Sequence, residues 1–496
     1  MTQPVLIAGA GPVGLMLAYE LGLAGVPAVV LERAATPPAP EQSRGMAVNG
    51  AVVELLEQRG LMEAIRPFGM SFPRAHFGHI WLDPTTVGQR HPFNFAVPHA
   101  LLQRVLEERA VKLGAQVRRD AEVVGVRQDA DGVEADVVGA DGARATVRGA
   151  YLVGCDGAGS RVRALAGIGF SGADVPFLGI LADVRVEPGD PMFAQIGVNQ
   201  YQNGICTVAP IGPQALRVMT GEFDTEPGVE SAPVPPEDFA AAYARITGTA
   251  LTGHPVRLSY WTTATRLADQ YRTGRVFLAG DAAHVHFPLG GQALSTGLED
   301  AVNLGWKLAA AHGGWAPPGL LDTYHGERHP VGARACRTTS AQTALMHPMS
   351  RVAPLREIFA ELTAFPDVNA YLVNMVGGLD VRYPAESGGE LVGRRLADVP
   401  LTTGAGATSV AKLLTSGLGV LLDLGAGVTL PDGFDDRIDA VTAEPSDEIP
   451  ATAVLLRPDG RVAWASPATA GGLAGNGLAE AAGQWFGKSM MVGVAA

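Results

Sequence analysis

The segment Gly9-Ala10-Gly11-Pro12-Val13-Gly14 constrains the fold more than any other stretch of the chain, because it joins two different periodicities. Before it, Val5-Leu6-Ile7-Ala8 is a short, wholly apolar run of the kind found in a buried parallel strand. After it, Leu15, Ala18, Leu21 and Leu23 fall at helical spacing, and Ala28-Val29-Val30-Leu31 reads as a second strand that ends at Glu32. Each glycine has a mechanical reason. Gly9 allows the tight turn, Gly11 lets the backbone approach a pyrophosphate, and Gly14 lets helix and strand pack closely. Pro12 and Val13 open the helix, whose free N–H groups and partial positive charge face the phosphates. Glu32 stands where a carboxylate accepts from ribose hydroxyls and repels a 2′-phosphate, although Arg33 beside it weakens that repulsion. The pattern predicts an α/β fold and a bound dinucleotide, and leaves NAD and FAD both open.

Composition narrows what such a fold can serve. The 496 residues are enough for about three domains. With 47% hydrophobic and 18% charged residues, a large core is expected and long disorder is not. A formal net charge of −13 argues against a nucleic-acid partner and against a polybasic membrane anchor. Cys155, Cys206 and Cys336 are widely spaced with no CxxC, which argues against a disulfide framework or a cysteine zinc site and fits a cytoplasmic protein. His284 and His286 have no acidic or histidine partner at ligand spacing, so no metal is expected. The opening Met1-Thr2-Gln3-Pro4 has no basic region and the apolar run after it is broken by glycines, so neither a signal peptide nor a membrane span is expected.

Two further segments select the cofactor. Residues 151–163 read Tyr-Leu-Val-Gly-Cys-Asp-Gly-Ala-Gly-Ser-Arg-Val-Arg. Residues 276–284 read Val-Phe-Leu-Ala-Gly-Asp-Ala-Ala-His, followed by Val-His-Phe-Pro-Leu-Gly-Gly-Gln. Together with the glycine turn, and in this order, they resemble the three nucleotide motifs of the single-component FAD-dependent aromatic hydroxylases related to para-hydroxybenzoate hydroxylase. The similarity runs nearly the full length. Residues 300–308 and 369–384 resemble in particular the actinobacterial branch acting on aromatic polyketides, the anhydrotetracycline, angucycline and rifampicin monooxygenases.

The resemblance implies FAD as the bound cofactor, NADPH as a transient reductant without a Rossmann domain of its own, and O2 as co-substrate. It implies that Asp281, after Gly280, accepts from a ribityl hydroxyl, and that Gly291, Gln292, Ala293 and Leu294 present amides to the pyrimidine edge of the flavin. Asp156 and Gly157 would lie by the pyrophosphate and the nicotinamide path, and Arg44 and Gln103 would also touch FAD. The reaction implied is hydroxylation of a polycyclic aromatic polyketide through a flavin C4a-hydroperoxide. Baeyer–Villiger oxygenation of a related ketone shares the same motifs, and a flavin-binding protein with impaired turnover is a further alternative. A flavin halogenase is not expected, because Trp-x-Trp-x-Ile-Pro is absent.

Three positions depart from the family pattern: Ala293 stands where a glycine is usual, Ser295 where an asparagine is usual, and His99 where a glutamine is usual. Ala293 would strain a left-handed backbone, but in a helical one would only crowd the ring edge. By resemblance the chain divides into a Rossmann-like FAD-binding part over 1–173, an inserted mixed-sheet substrate domain over 174–266, a second FAD-binding part with a helical region over 267–387, and a thioredoxin-like C-terminal domain over 388–496 without cysteine. The substrate is expected between flavin and inserted sheet, against Phe287, Pro288 and Leu289, with His76 and Phe77 on a far wall. Trp261 is a further lining candidate that reads first as core. No side chain stands out as a catalytic base, and a homodimer is compatible with the sequence.

Overall fold

The computed structural model describes residues 3–39, 47–87, 91, 94–226, 232–385, 389–466 and 477–487. Its centre is a six-stranded sheet. Val5–Ala8 lies in the middle, parallel to Ala28–Leu31 on one side and to Tyr151–Gly154 on the other. Gln116–Arg118 extends the first side, and Val276–Leu278 extends the second; both are parallel. Only the short edge strand Arg272–Thr273 runs antiparallel. Every residue of Val5–Ala8 and Ala28–Leu31 is buried, as strands covered on both faces must be.

Helix Pro12–Leu23 starts directly from the glycine turn, with Pro12 in its first turn. The long helix Gln292–His312 crosses it closely because small residues remove the side-chain barrier: a Cβ on Gly297 would stand 2.7 Å from Val13 Cγ2 and 2.9 Å from Gly280 Cα. Residues returning from the far end of the sequence are thereby pinned to the first turn of the chain.

The inserted sheet runs in the order Gly197–Tyr201, Gly204–Gly212, Ala215–Phe223, Phe177–Arg185, His254–Trp261. A mixed sheet is the sequence expectation; this one is antiparallel throughout. Connection length sets two of the four pairings, since two-residue turns at 202–203 and 213–214 can join only antiparallel neighbours. Helix Pro236–Thr247 covers one face through Phe239 and Tyr243. The other face carries Phe177, Leu181 and Trp261 and meets Phe287 and Leu289 from the nucleotide side.

The C-terminal part holds a four-stranded sheet in the order Ile438–Thr442, Gly419–Asp423, Ala453–Leu456, Val462–Ala465, with helix Leu478–Phe486 packed on it. Among the described residues no helix is long and apolar enough to cross a membrane.

Candidate flavin and substrate site

The strand order brings the sequence motifs together. Val276–Leu278, Tyr151–Gly154, Val5–Ala8 and Ala28–Leu31 are successive neighbours, and Asp281, Asp156, Gly9–Gly14 and Glu32 all follow their carboxyl ends. In an open parallel sheet this is where a ligand binds. Backbone hydrogen bonds bind the ends into one surface: Cys155 N–H donates to Ala8 O at 2.8 Å, and Ala279 N–H to Gly154 O at 3.0 Å.

The three glycines of the first turn differ as the mechanical reading requires. Gly9 sits at φ +102° and packs on the backbone of Cys155. Gly14 lies against Gly9 O, leaving no room for a side chain. A Cβ on Gly11 would meet nothing within 4 Å, so its backbone faces open space on the side a pyrophosphate would approach. Glu32 accepts from Ala10 N–H at 2.7 Å and Ala34 N–H at 2.8 Å. Each carboxylate oxygen keeps a lone pair for a ribose hydroxyl. Arg33 is exposed beside it. The Gln103 side-chain amide donates to Ala10 O at 2.8 Å, so this residue braces the turn itself. Arg44 lies outside the described residues.

Asp156 has a local structural task. Its carboxylate accepts from Ser160 Oγ at 2.5 Å and Val162 N–H at 3.1 Å, at the start of helix Arg161–Leu165. Gly157 follows at φ +84°. Asp281 is placed differently. Solvent reaches it, yet protein surrounds it closely enough that lost hydration raises its pKa, with His284 opposing. A carboxyl group that is both accessible and crowded lines an open cleft. Gly280 turns the chain at φ +63° against Val13, directly over the first motif.

Gly291 caps helix Gln292–His312 at φ +70°, so close to residue 47 that a Cβ there would stand 2.8 Å from Ala47 O. Ala293 and Leu294 fall in the first helical turn, whose amides have no intrahelical acceptor and are open to an anionic or carbonyl edge. Ala293 is helical rather than left-handed, so the departure from glycine adds no backbone strain. Ser295 accepts from Asn49 N–H at 3.0 Å and ties a neighbouring loop to this helix. His99 begins helix His99–Lys112 and is held neutral by burial, its pKa lowered to about 4. Gln292 is buried with its amide nitrogen unpartnered, as expected of a donor whose acceptor is a ligand.

Residues not foreseen from sequence hold this surface in shape. Arg163 donates to Ala282 O at 2.9 Å and to Ala158 O at 2.8 Å, clamping the Asp156 loop to the Asp281 loop. Asp300, fully buried, accepts from Gly280 N–H at 3.1 Å and Arg328 Nε at 2.7 Å, and pairs with His284 Nε2 at 2.8 Å. Burial would raise its pKa, but Arg328 and His284 more than offset this and lower it. His284 is thus an anchor of the Asp281 turn. Among the described residues no group of three or more His, Cys, Asp or Glu is placed to hold a metal. Arg163 and Asp300 both lie inside segments that resemble the family; for Asp300, the acidic pair Glu299-Asp300 in a largely apolar helix is the signal the sequence offers.

On the substrate side, Phe287 stacks edge-on to Phe177 at 5.1 Å between ring centres, and Phe177 lies 4.6 Å from Trp261. Phe287, Leu289 and Trp261 are buried in this cluster, while Pro288 is exposed. His76 and Phe77 lie on a separate hairpin, Ala75–Phe77 with Ile80–Leu82, where Phe77 packs on Phe359.

The donor set fits FAD: a bare backbone at Gly11, an accessible crowded carboxyl at Asp281, an orphaned buried amide at Gln292, and a glycine-capped helix start at Gly291. Comparison with known proteins agrees. Residues 2–339 match the FAD binding domain family, and residues 389–489 match the C-terminal domain of aromatic-ring hydroxylases. The chain is 54% identical to the dialkyldecalin synthase of Streptomyces rugosporus, over 99% of this chain and 100% of that one. It is 39% identical to the rifampicin monooxygenase of Rhodococcus hoagii over 98% of each chain. Among solved structures it superposes on a Diels–Alderase of pyrroindomycin biosynthesis with a TM-score of 0.90, at 54% identity over 98% of this chain and 100% of that one. It superposes on the anhydrotetracycline hydroxylase of Streptomyces rimosus with a TM-score of 0.89, at 41% identity over 99% and 100%. FAD is therefore the cofactor, with NADPH the reductant typical of its relatives, and the chain belongs to the family of FAD-dependent aromatic-ring hydroxylases.

Proposed function

We propose that this FAD-dependent monooxygenase acts on a polycyclic polyketide held between the Asp281–Gly291 segment and the inserted sheet. The observation that carries the reading is continuity. Phe287 and Leu289 follow Asp281 within one short segment and pack directly on Phe177 and Trp261 of the sheet. A fused-ring substrate seated there would lie beside the flavin edge. Bound FAD would take a hydride from NADPH and activate O2. Gly11 and the first turn of Pro12–Leu23 would hold the pyrophosphate, Glu32 a ribose, and Asp281 the ribityl chain. The helix start at Gln292 would stabilise negative charge on the ring, and the aromatic cluster would exclude water. The test is mass spectrometry of products from anhydrotetracycline under labelled oxygen, with NADPH supplied. A product heavier by one labelled oxygen atom supports the reading; Baeyer–Villiger insertion gives the same mass but an expanded ring.

A second reading has its own observation. Identity to the synthase and to the Diels–Alderase is 54%, against 41% for the anhydrotetracycline hydroxylase, at equal coverage. In that reading the pocket folds a linear polyene into a cyclisation-ready shape and FAD shapes the wall without turning over. Its product is an isomer of a linear polyene substrate, formed without NADPH or O2, so it is recognised by a changed chromatographic retention at unchanged mass, with no labelled oxygen taken up. The domain limits near residues 173, 266 and 387 are part of the proposal. So are a thioredoxin-like C-terminal sheet without exchange chemistry, a cytoplasmic site of action and a homodimer.

A further inference from the structure

We infer that His76, His79 and Gln200 form the polar end of the substrate site, where a hydroxyl- or carbonyl-bearing edge of the ring system docks. The inference rests on the polycyclic-substrate reading above, with the substrate lying against the inserted sheet.

The hairpin Ala75–Phe77 and Ile80–Leu82 turns through Gly78 at φ +55° and His79 at φ +62°. Glycine is at ease there; histidine is not, and carries a cost of about 1 kcal/mol. The turn is fixed by its backbone. Gly78 N–H donates to Gln342 Oε1 at 3.0 Å, and Arg356 Nη1 donates to Gly78 O at 2.6 Å and Leu345 O at 2.8 Å. The imidazole Nδ1 atoms take no part in holding the turn. His76 and His79 meet edge to face at 5.2 Å, and Nδ1 of each is buried without a partner.

Gln200 comes from the edge strand of the inserted sheet. Its amide nitrogen donates to Tyr201 O, Gly204 O and Met346 O at 3.1 to 3.3 Å, which fixes the amide and leaves Oε1 buried and unpartnered beside His79. Met346 belongs to the same cluster as Phe177, Trp261, Phe287 and Leu289, so the polar trio borders the aromatic chamber. Burial holds His76 and His79 at pKa values of about 4 and about 3, so both rings are neutral near pH 7, each with one donor and one acceptor. Buried polar atoms left unpaired are costly. A neutral hydroxyl or carbonyl edge satisfies this set.

The test uses FAD-loaded protein at pH 6 and two probes, 2,6-dihydroxyanthraquinone and its dimethyl ether, with binding read from perturbation of the flavin spectrum. Wild type is expected to prefer the dihydroxy probe by about tenfold, the worth of one good hydrogen bond. His76→Phe and Gln200→Leu should reduce that preference below about twofold without changing affinity for the ether. His79→Asn, which keeps a residue tolerant of the left-handed turn, serves as a second variant and should do the same. Variants that keep the full preference overturn the inference, as does a wild type that binds both probes equally. A wild type that binds neither removes the substrate-class reading and the inference with it.

Discussion

The FAD-binding part of the molecule meets its two neighbours through interfaces of opposite chemistry. Toward the C-terminal sheet the contact is ionic and buried. Arg59 grips Glu20 at 2.6 and 3.0 Å and donates to Leu414 O and Pro458 O. Arg457 pairs with Glu327 at 2.5 and 2.9 Å and with Asp459, while Lys307 reaches Glu327 at 2.7 Å. Glu299 receives Arg395 and Arg461. Toward the inserted sheet the contact is a cluster of rings with orphaned polar atoms at its margin, among them Trp261 Nε1 and Gln200 Oε1. Directional bonds between buried charges admit one geometry. Ring stacking tolerates displacement. One interface is built to stay shut, and under the proposed function the other receives the substrate.

The two partners in the ionic cluster respond differently. Burial would raise the pKa of Glu327, but Arg457 and then Lys307 hold it well below the usual carboxylate range. Lys307 is pulled down to about 8, because burial outweighs the attraction of Glu327. Arg457 is thus the cation that holds the joint.

The largest expected effect follows from that. Arg457→Met leaves Glu327 and Asp459 buried beside a single amine, and should cost about 3–5 kcal/mol, seen as a clear fall in the thermal unfolding midpoint. An unchanged midpoint would show that the ionic interface is not what closes this side. Next, Asp281→Ala should abolish retention of FAD through gel filtration while leaving the circular dichroism spectrum intact; a variant that stays yellow contradicts the ribityl assignment.

Acid should separate the two interfaces. His76 and His286 are lowered to about 4 and His79 to about 3, all by burial first, and all lie on the substrate side. Their folded values lie below the unfolded value of about 6.5. The unfolded chain therefore takes up protons first as pH falls, and stability present above about pH 6.5 is lost toward pH 4. His91, where burial is outweighed by Glu57, works the other way. Glu327 stays ionised throughout this window, so hydrogen exchange should rise in Phe177–Arg185 and His254–Trp261 before it rises in Ala453–Leu456. Simultaneous loosening would contradict the comparison. The smallest effect is expected of Trp261→Phe. It removes an orphaned N–H and should shift stability by less than about 2 kcal/mol, while leaving the preference between the two anthraquinone probes unchanged.

Local motifs are legible in the sequence because they are written in contiguous residues with backbone demands. Gly9, Gly11 and Gly14 each do what the pattern requires, and Gln103 and Asp281 fall on the expected surface. Side-chain partnership across long separations is not legible in this way. Arg163 binding Ala282 O, Asp300 binding Gly280 and His284, and Arg457 binding Glu327 depend on how the elements fold back on one another. Asp156 has a second task that the motif does not reveal: its carboxylate also braces Ser160 and the start of helix Arg161–Leu165. Two of the four antiparallel pairings of the inserted sheet follow from short turns that the strand runs alone do not reveal, and the pairings of Phe177–Arg185 depend on the long-range fold.

FAD seated where the three glycine-bearing segments converge is the central claim, and the most direct measurement of it is the flavin content of the purified chain. Heat-released flavin, identified by chromatography and divided by protein concentration, should give about one FAD per chain after incubation with excess cofactor and desalting. Colourless protein after that treatment would contradict the claim.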